Sequence, residues 1–92
     1  MKSKEFYINL KASLEQTTIF PSEYLYKFIV PTQSNGIQEI ENMFDNMGAV
    51  ISTKESRKGT YTSVSVLVKL PSADIVISKY KEVATIKGII SL

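Results

Sequence analysis

The side chains of this chain that could do chemistry fall into a few groups. Lys54, Arg57 and Lys58, with Glu55 beside them, make a cationic cluster that suits a phosphate or an acidic partner. The same charges also serve a solvated hairpin tip, where they discourage edge pairing. Thr32, Ser34, Asn35 and Gly36 lie just ahead of a helical pattern, where free amides attract anions, so they form a candidate small-ligand site. Asn35 also serves there simply as a helix cap. Tyr61 follows Lys58-Gly59-Thr60 and offers one stacking ring. Glu41 and Asp45 are spaced i,i+4 near Glu39, which reads as a solvated helix face, because a hard cation wants more oxygen ligands. The chain has no cysteine and no histidine. Disulfides, thiolate nucleophiles, imidazole acid–base chemistry and Cys/His metal sites are thereby removed. No convergent acid–base set remains. The expectation is a non-catalytic protein that needs no cofactor and no metal.

Composition narrows the class. A chain of 92 residues makes one small core. Eleven Lys/Arg against nine Asp/Glu leave a net charge of +2, with the signs interspersed, which argues weakly for nucleic acid. The apolar run at Phe6-Tyr7-Ile8 is too short and too interrupted for a signal peptide or a membrane span. The cytoplasm is the default expectation, with no membrane association.

The elements that must position these residues follow from periodicity. Residues 4–15 read as a helix capped by Ser3, with Phe6, Tyr7, Leu10 and Leu14 on one side. Pro21 breaks the pattern, so 1–22 form a helix and connector ahead of a domain over 23–92. Residues 24–30 alternate as a strand. Asn35 and Gln38 have capping-box spacing for a helix over 36–47, whose Ile37, Ile40, Phe44 and Met47 make one buried face. Strands follow at 49–57 and 60–70, around a Lys58-Gly59 turn. Ser72 caps a helix over 73–84, and 87–92 is the last strand.

The order β-α-β-β-α-β with right-handed crossovers predicts an α+β, ferredoxin-like plait. Its antiparallel sheet has order 4-1-3-2 and two helices on one face, with the N-terminal helix added. Tyr26, Phe28, Val30, Val64, Val66, Val68, Ile90 and Leu92 are assigned to the covered side. The open side then carries Leu25, Lys27, Ile29, Tyr61, Ser63, Ser65, Leu67, Lys69 and Ile89, with Ile51, Thr53 and Glu55 from the second strand. So much aliphatic surface calls for a cover. The candidates are the N-terminal helix, a second copy of the chain, or a foreign protein. Leu25, Ile29, Lys58, Tyr61, Ser63 and Leu67 are the candidate interaction residues.

Other proteins with this plait give contrasts. RNA-recognition domains place stacking aromatics first and third after the third-strand glycine. Here those positions hold Thr60 and Thr62, with Tyr61 between them, so nucleic acid is the weakest partner. Acylphosphatases need an arginine in the first loop, and the only arginine here is Arg57. ACT-type sensors bind amino acids at the loop that corresponds to Thr32, Ser34, Asn35 and Gly36.

The run Ser56-Arg57-Lys58-Gly59-Thr60-Tyr61-Thr62-Ser63-Val64 resembles the Ser-x-Lys-Gly-x-Tyr-x-Ser-Val segment of the YbeD-like family of uncharacterised bacterial proteins. Tyr24-Leu25-Tyr26-Lys27, after Phe20-Pro21, resembles that family's aromatic-x-aromatic-Lys first strand. The likeness extends from about Phe20 to Leu92. Many members carry histidine where this chain has Thr62, so that histidine's role is absent here. The resemblance implies a ferredoxin-like, ACT-like regulatory domain, with Lys58, Gly59, Tyr61 and Ser63 available for recognition. The expected function is a regulatory or protein-interaction module, acting through a protein partner or self-association. A small-molecule sensor using the first loop is the alternative, and RNA binding comes after it.

Overall fold

The computed structural model describes residues 2–92. They run as α1 (Lys2–Thr17), β1 (Ser22–Pro31), α2 (Gly36–Met43), β2 (Val50–Glu55), β3 (Tyr61–Leu70), α3 (Ala73–Val83) and β4 (Ile90–Ser91). The strictly alternating strands β1 and β3 form the centre of the sheet and pair antiparallel from Ser22–Leu70 to Pro31–Tyr61. The four-stranded antiparallel sheet has the order β2-β3-β1-β4, which is the expected 4-1-3-2 seen from its other edge.

Directly opposed residues on antiparallel strands share a face. Tyr26, Phe28, Val30, Val64, Val66 and Val68 therefore point the same way, and all are buried. Ile40 and Phe44 from the α2 end and Ala73, Val76, Tyr80 and Val83 from α3 complete that core. The Tyr26 ring lies 5.3 Å from Phe44 and 4.9 Å from Tyr80, centroid to centroid.

Helix ends depart from expectation in instructive ways. Ser72 caps α3 as expected, its Oγ accepting from the Ile75 amide at 3.3 Å. Asn35 holds the cap position of α2 but makes no side-chain bond. Ser34 takes over, its Oγ accepting from the Gly36 amide at 3.1 Å and donating to the Pro31 carbonyl at 2.7 Å. Gln38 reaches forward to Asn42 instead of back, so the capping box does not form. α2 stops at Met43, not 47, and the chain then turns through Asn46 (φ 63°) and Gly48 (φ 71°). The freed Met43 carbonyl accepts from Lys79 Nζ at 2.7 Å, so a cation of α3 caps the C-terminus of α2.

α1 lies beside α3. Lys11 pairs with Asp74 at 2.7 Å, and Lys81 stands 5.5 Å over the Tyr7 ring. Stepping back from Lys11 to Tyr7 thus steps forward from Asp74 to Lys81, and the two helices run antiparallel. Leu14 is buried, with Tyr7 and Leu10 packed against the core. Phe6, expected on this inner side, is 56% exposed. Tyr7, expected there too, does pack inward, because Tyr7, Leu10 and Leu14 form one helical stripe that leaves Phe6 at its margin. The side chain of Ser3, read as the cap of this helix, lies outside the described residues.

The two edge strands are flipped relative to the sequence reading. Ile51, Thr53 and Glu55 oppose Val66, Val64 and Thr62, so they face the helices. β2 carries no alternation of its own, and the hairpin register alone sets its parity. Ile90 opposes Ile29 and faces the open side, while Ile89 packs against the core. β4 begins only at Ile90, because Gly88 (φ 79°) turns the chain just before it. Leu92 follows Ile90 by two residues and shares its side, donating its amide to the Lys27 carbonyl at 2.9 Å.

Three outcomes test this packing. Phe44→Ala should cost about 3–5 kcal/mol in a denaturant titration; an unchanged midpoint would place Phe44 outside the core. A Cβ on Gly36 would stand 2.8 Å from Val30 Cβ and Cγ1, so Gly36→Ala should cost about 1–3 kcal/mol by the same measurement. Burial holds the Tyr26 and Tyr80 phenols well above their ordinary value of 10, and the Tyr80 hydrogen bond with Tyr24 adds to its shift. Above pH 10 the unfolded chain loses protons that the folded chain keeps, so stability should fall as pH rises past that value. Tyr80→Phe should flatten this alkaline decline.

Candidate interaction face

Strand pairing arranges the open side of the sheet in rows. Val50, Leu67 and Leu25 stand side by side across β2, β3 and β1. They are 66%, 37% and 50% exposed, so this apolar row is uncovered. Glu23 and Lys69 flank it on one side, and Ser52, Ser65 and Lys27 on the other. Beyond them lie Lys54, Ser63, Ile29 and Ile90, and then Tyr61 opposite Pro31. Leu25, Ile29, Tyr61, Ser63 and Leu67 are thus brought to one face. Lys58 stands apart from them at the hairpin tip. Val50 and Ile90 belong to the face but escaped the sequence reading. The signal that finds Val50 is the hairpin register, counted outward from the turn.

The charges on this face lean basic. Lys27, Lys54 and Lys69 point outward with Glu23 among them, and Glu55 adds a second carboxylate at the hairpin end. None of the three lysines joins an ion pair among the described residues. At the hairpin end, Ile29, Lys54, Glu55, Ser56, Arg57, Tyr61 and Ser63 line a depression of about 290 Å³. Ser56 holds that tip, its carbonyl accepting from the Gly59 amide at 2.8 Å and its Oγ from the Tyr61 amide at 3.2 Å. Gly59 sits at φ 72°, which a residue with a side chain rarely adopts.

The first loop and the hairpin tip are neighbours. The Thr32 amide donates to the Thr60 carbonyl at 3.0 Å, and the Thr32 and buried Thr62 hydroxyls share a hydrogen bond of 2.8 Å. Lys58 and Gly59 therefore join Gln33 around a hollow of about 380 Å³. The amides there are already committed, however. Thr32 donates to Thr60, Ser34 to the Pro31 carbonyl, and Gly36 to Ser34 Oγ. Of the candidate ligand-binding residues, only Asn35 keeps an amide without such a partner among these bonds. Sequence spacing placed the amides at a helix start and gave no sign of the local bonds that occupy them.

Among the described residues no three His, Cys, Asp or Glu side chains gather as metal ligands. No buried side-chain nitrogen or oxygen lacks a partner there either, so no orphaned polar atom points into a cavity. No helix among them is long and apolar enough to cross a membrane.

No curated protein and no solved structure matches the chain. A family of proteins of unknown function, DUF493, matches residues 15–92. That stretch holds all four strands, both helices between them and only the last residues of α1. It takes in the Lys58-Gly59-Thr60-Tyr61 segment on which the resemblance rests, and the chain belongs to the DUF493, or YbeD-like, family.

Proposed function

We propose that this chain is a non-catalytic regulatory module, a ferredoxin-like plait that docks an acidic protein partner on its open sheet face. One observation carries this reading: α1 packs beside α3, and the Val50–Leu67–Leu25 row is left exposed between lysines. An uncovered aliphatic row is costly to leave wet, and burying it drives association. Lys27, Lys54 and Lys69 around it favour a partner whose aliphatic residues are flanked by carboxylates. They also oppose face-to-face pairing of two copies, because like charges would then meet. A ligand at the first loop is weaker support for function, since the amides of Thr32, Ser34 and Gly36 are engaged. Tyr61 is the one aromatic ring of the face rows, which is a poor platform for RNA.

Affinity capture with the native chain and with Leu25→Asp or Leu67→Asp baits tests the reading. The native bait should retain a specific acidic protein, and both folded variants should lose it through a buried, repelled carboxylate. Retention by both variants would sink the proposal. So would a metabolite that raises Tm through residues 32–36, or an oligonucleotide whose binding needs Tyr61 and collapses with salt.

A further inference from the structure

A groove of about 500 Å³ runs between α1 and α3, well away from the open face and within the size range of small-molecule sites. Half-buried Tyr7 and buried Ile77 make its apolar floor. Ile8, 57% exposed, stands at its side. The charged lining is Lys4, Lys11, Lys81 and Asp74. Asp74 is spent on Lys11, at 2.7 Å, which neutralises one end of the groove. Lys4 and Lys81 make the other end cationic. From Lys11 to Lys4 is about 10 Å along α1 at the helical rise. The groove therefore offers a neutral end, an apolar stretch and a pair of ammonium groups, in that order.

We infer that this groove binds a small soluble anion that carries an apolar or aromatic group. Its carboxylate or phosphate lies between Lys4 and the Lys81 ammonium, which stands 5.5 Å over the Tyr7 ring, and its apolar part covers Ile8 and Ile77. Burial of that part removes Ile8 from water, and the charges fix which way round the ligand lies. The family match begins at residue 15, so one wall of the site comes from a segment outside the matched unit. The site is independent of the open face, and either proposal stands without the other.

The test uses the full chain and anilinonaphthalene sulfonate, an aromatic anion, followed by fluorescence and by amide chemical shifts. Saturable binding should move the signals of Tyr7, Ile8, Ile77 and Lys81. Phenyl phosphate should compete and benzylammonium should not. Lys4→Glu combined with Lys81→Glu should weaken binding by about tenfold or more at low salt. Lys81→Gln alone, a milder change that removes the charge and keeps a polar end, should weaken it in the same direction. Leu67→Asp should leave it unchanged. Undiminished binding by the folded lysine variants would overturn the site. So would shifts confined to Leu25 and Leu67, equal competition by benzylammonium, or competition by phosphatidylglycerol vesicles without any by phenyl phosphate.

Discussion

The structure depends on the side chain of Tyr26. It projects from the middle of β1 and touches the rings of Tyr24, Phe28, Phe44 and Tyr80, at centroid distances from 4.7 to 5.6 Å. Its hydroxyl donates to the Val76 carbonyl at 3.0 Å. One residue of the central strand is thus joined to the end of α2 and to the middle of α3. A buried phenol is tolerable only when its hydroxyl is satisfied, and the Val76 carbonyl supplies that partner. The contact also has a direction. Both helices are drawn to the Tyr26 side of the sheet, so the opposite side is bare unless something else covers it.

α1 does not cover it. It lengthens the helical layer by lying against α3, held by buried Leu14, half-buried Tyr7 and Leu10, and the Lys11–Asp74 pair. Charge is unevenly distributed as well, although α1 and α3 carry lysines of their own. Glu39, Glu41 and Asp45 lie on α2 and the turn after it, while the open face presents Lys27, Lys54 and Lys69. A net charge of +2 conceals this polarity, because the sum says nothing of which side each charge takes. The apolar row on the basic side and the lysine-rimmed groove beside α1 both follow from where α1 went.

The core was legible in the chain because its periods are strong. Tyr26, Phe28 and Val30 alternate with Lys27 and Ile29, and Val64, Val66 and Val68 repeat the pattern, so two strands and their inward face follow from period two. Ser72 and the stripe from Val76 to Val83 mark α3 by cap and by helical period. Sheet order then follows from the sequence of elements and the hand of the crossovers. Of the candidate face, Leu25, Ile29, Ser63 and Leu67 could be placed because they are the other half of those same alternations.

What escaped the chain lay where local pattern is silent. Val50 and Ile51 are adjacent, as are Ile89 and Ile90, so neither edge strand states which residue turns inward; the hairpin register and the turn at Gly88 decided it. Ser34 displaced Asn35 as the cap because its hydroxyl reaches both Pro31 and Gly36, a geometry that spacing does not contain. α1 could be recognised as a helix, but Phe6 and Tyr7 compete for the same stripe, and only the surface of α3 chose between them. Element order, core strands and the absence of histidine and cysteine chemistry are properties of the chain, set by local period and composition. The partner of α1, the parity of β4 and the exposure of the basic face are tertiary properties, because each depends on contacts between residues far apart in sequence, whereas the parity of β2 follows from its own hairpin turn.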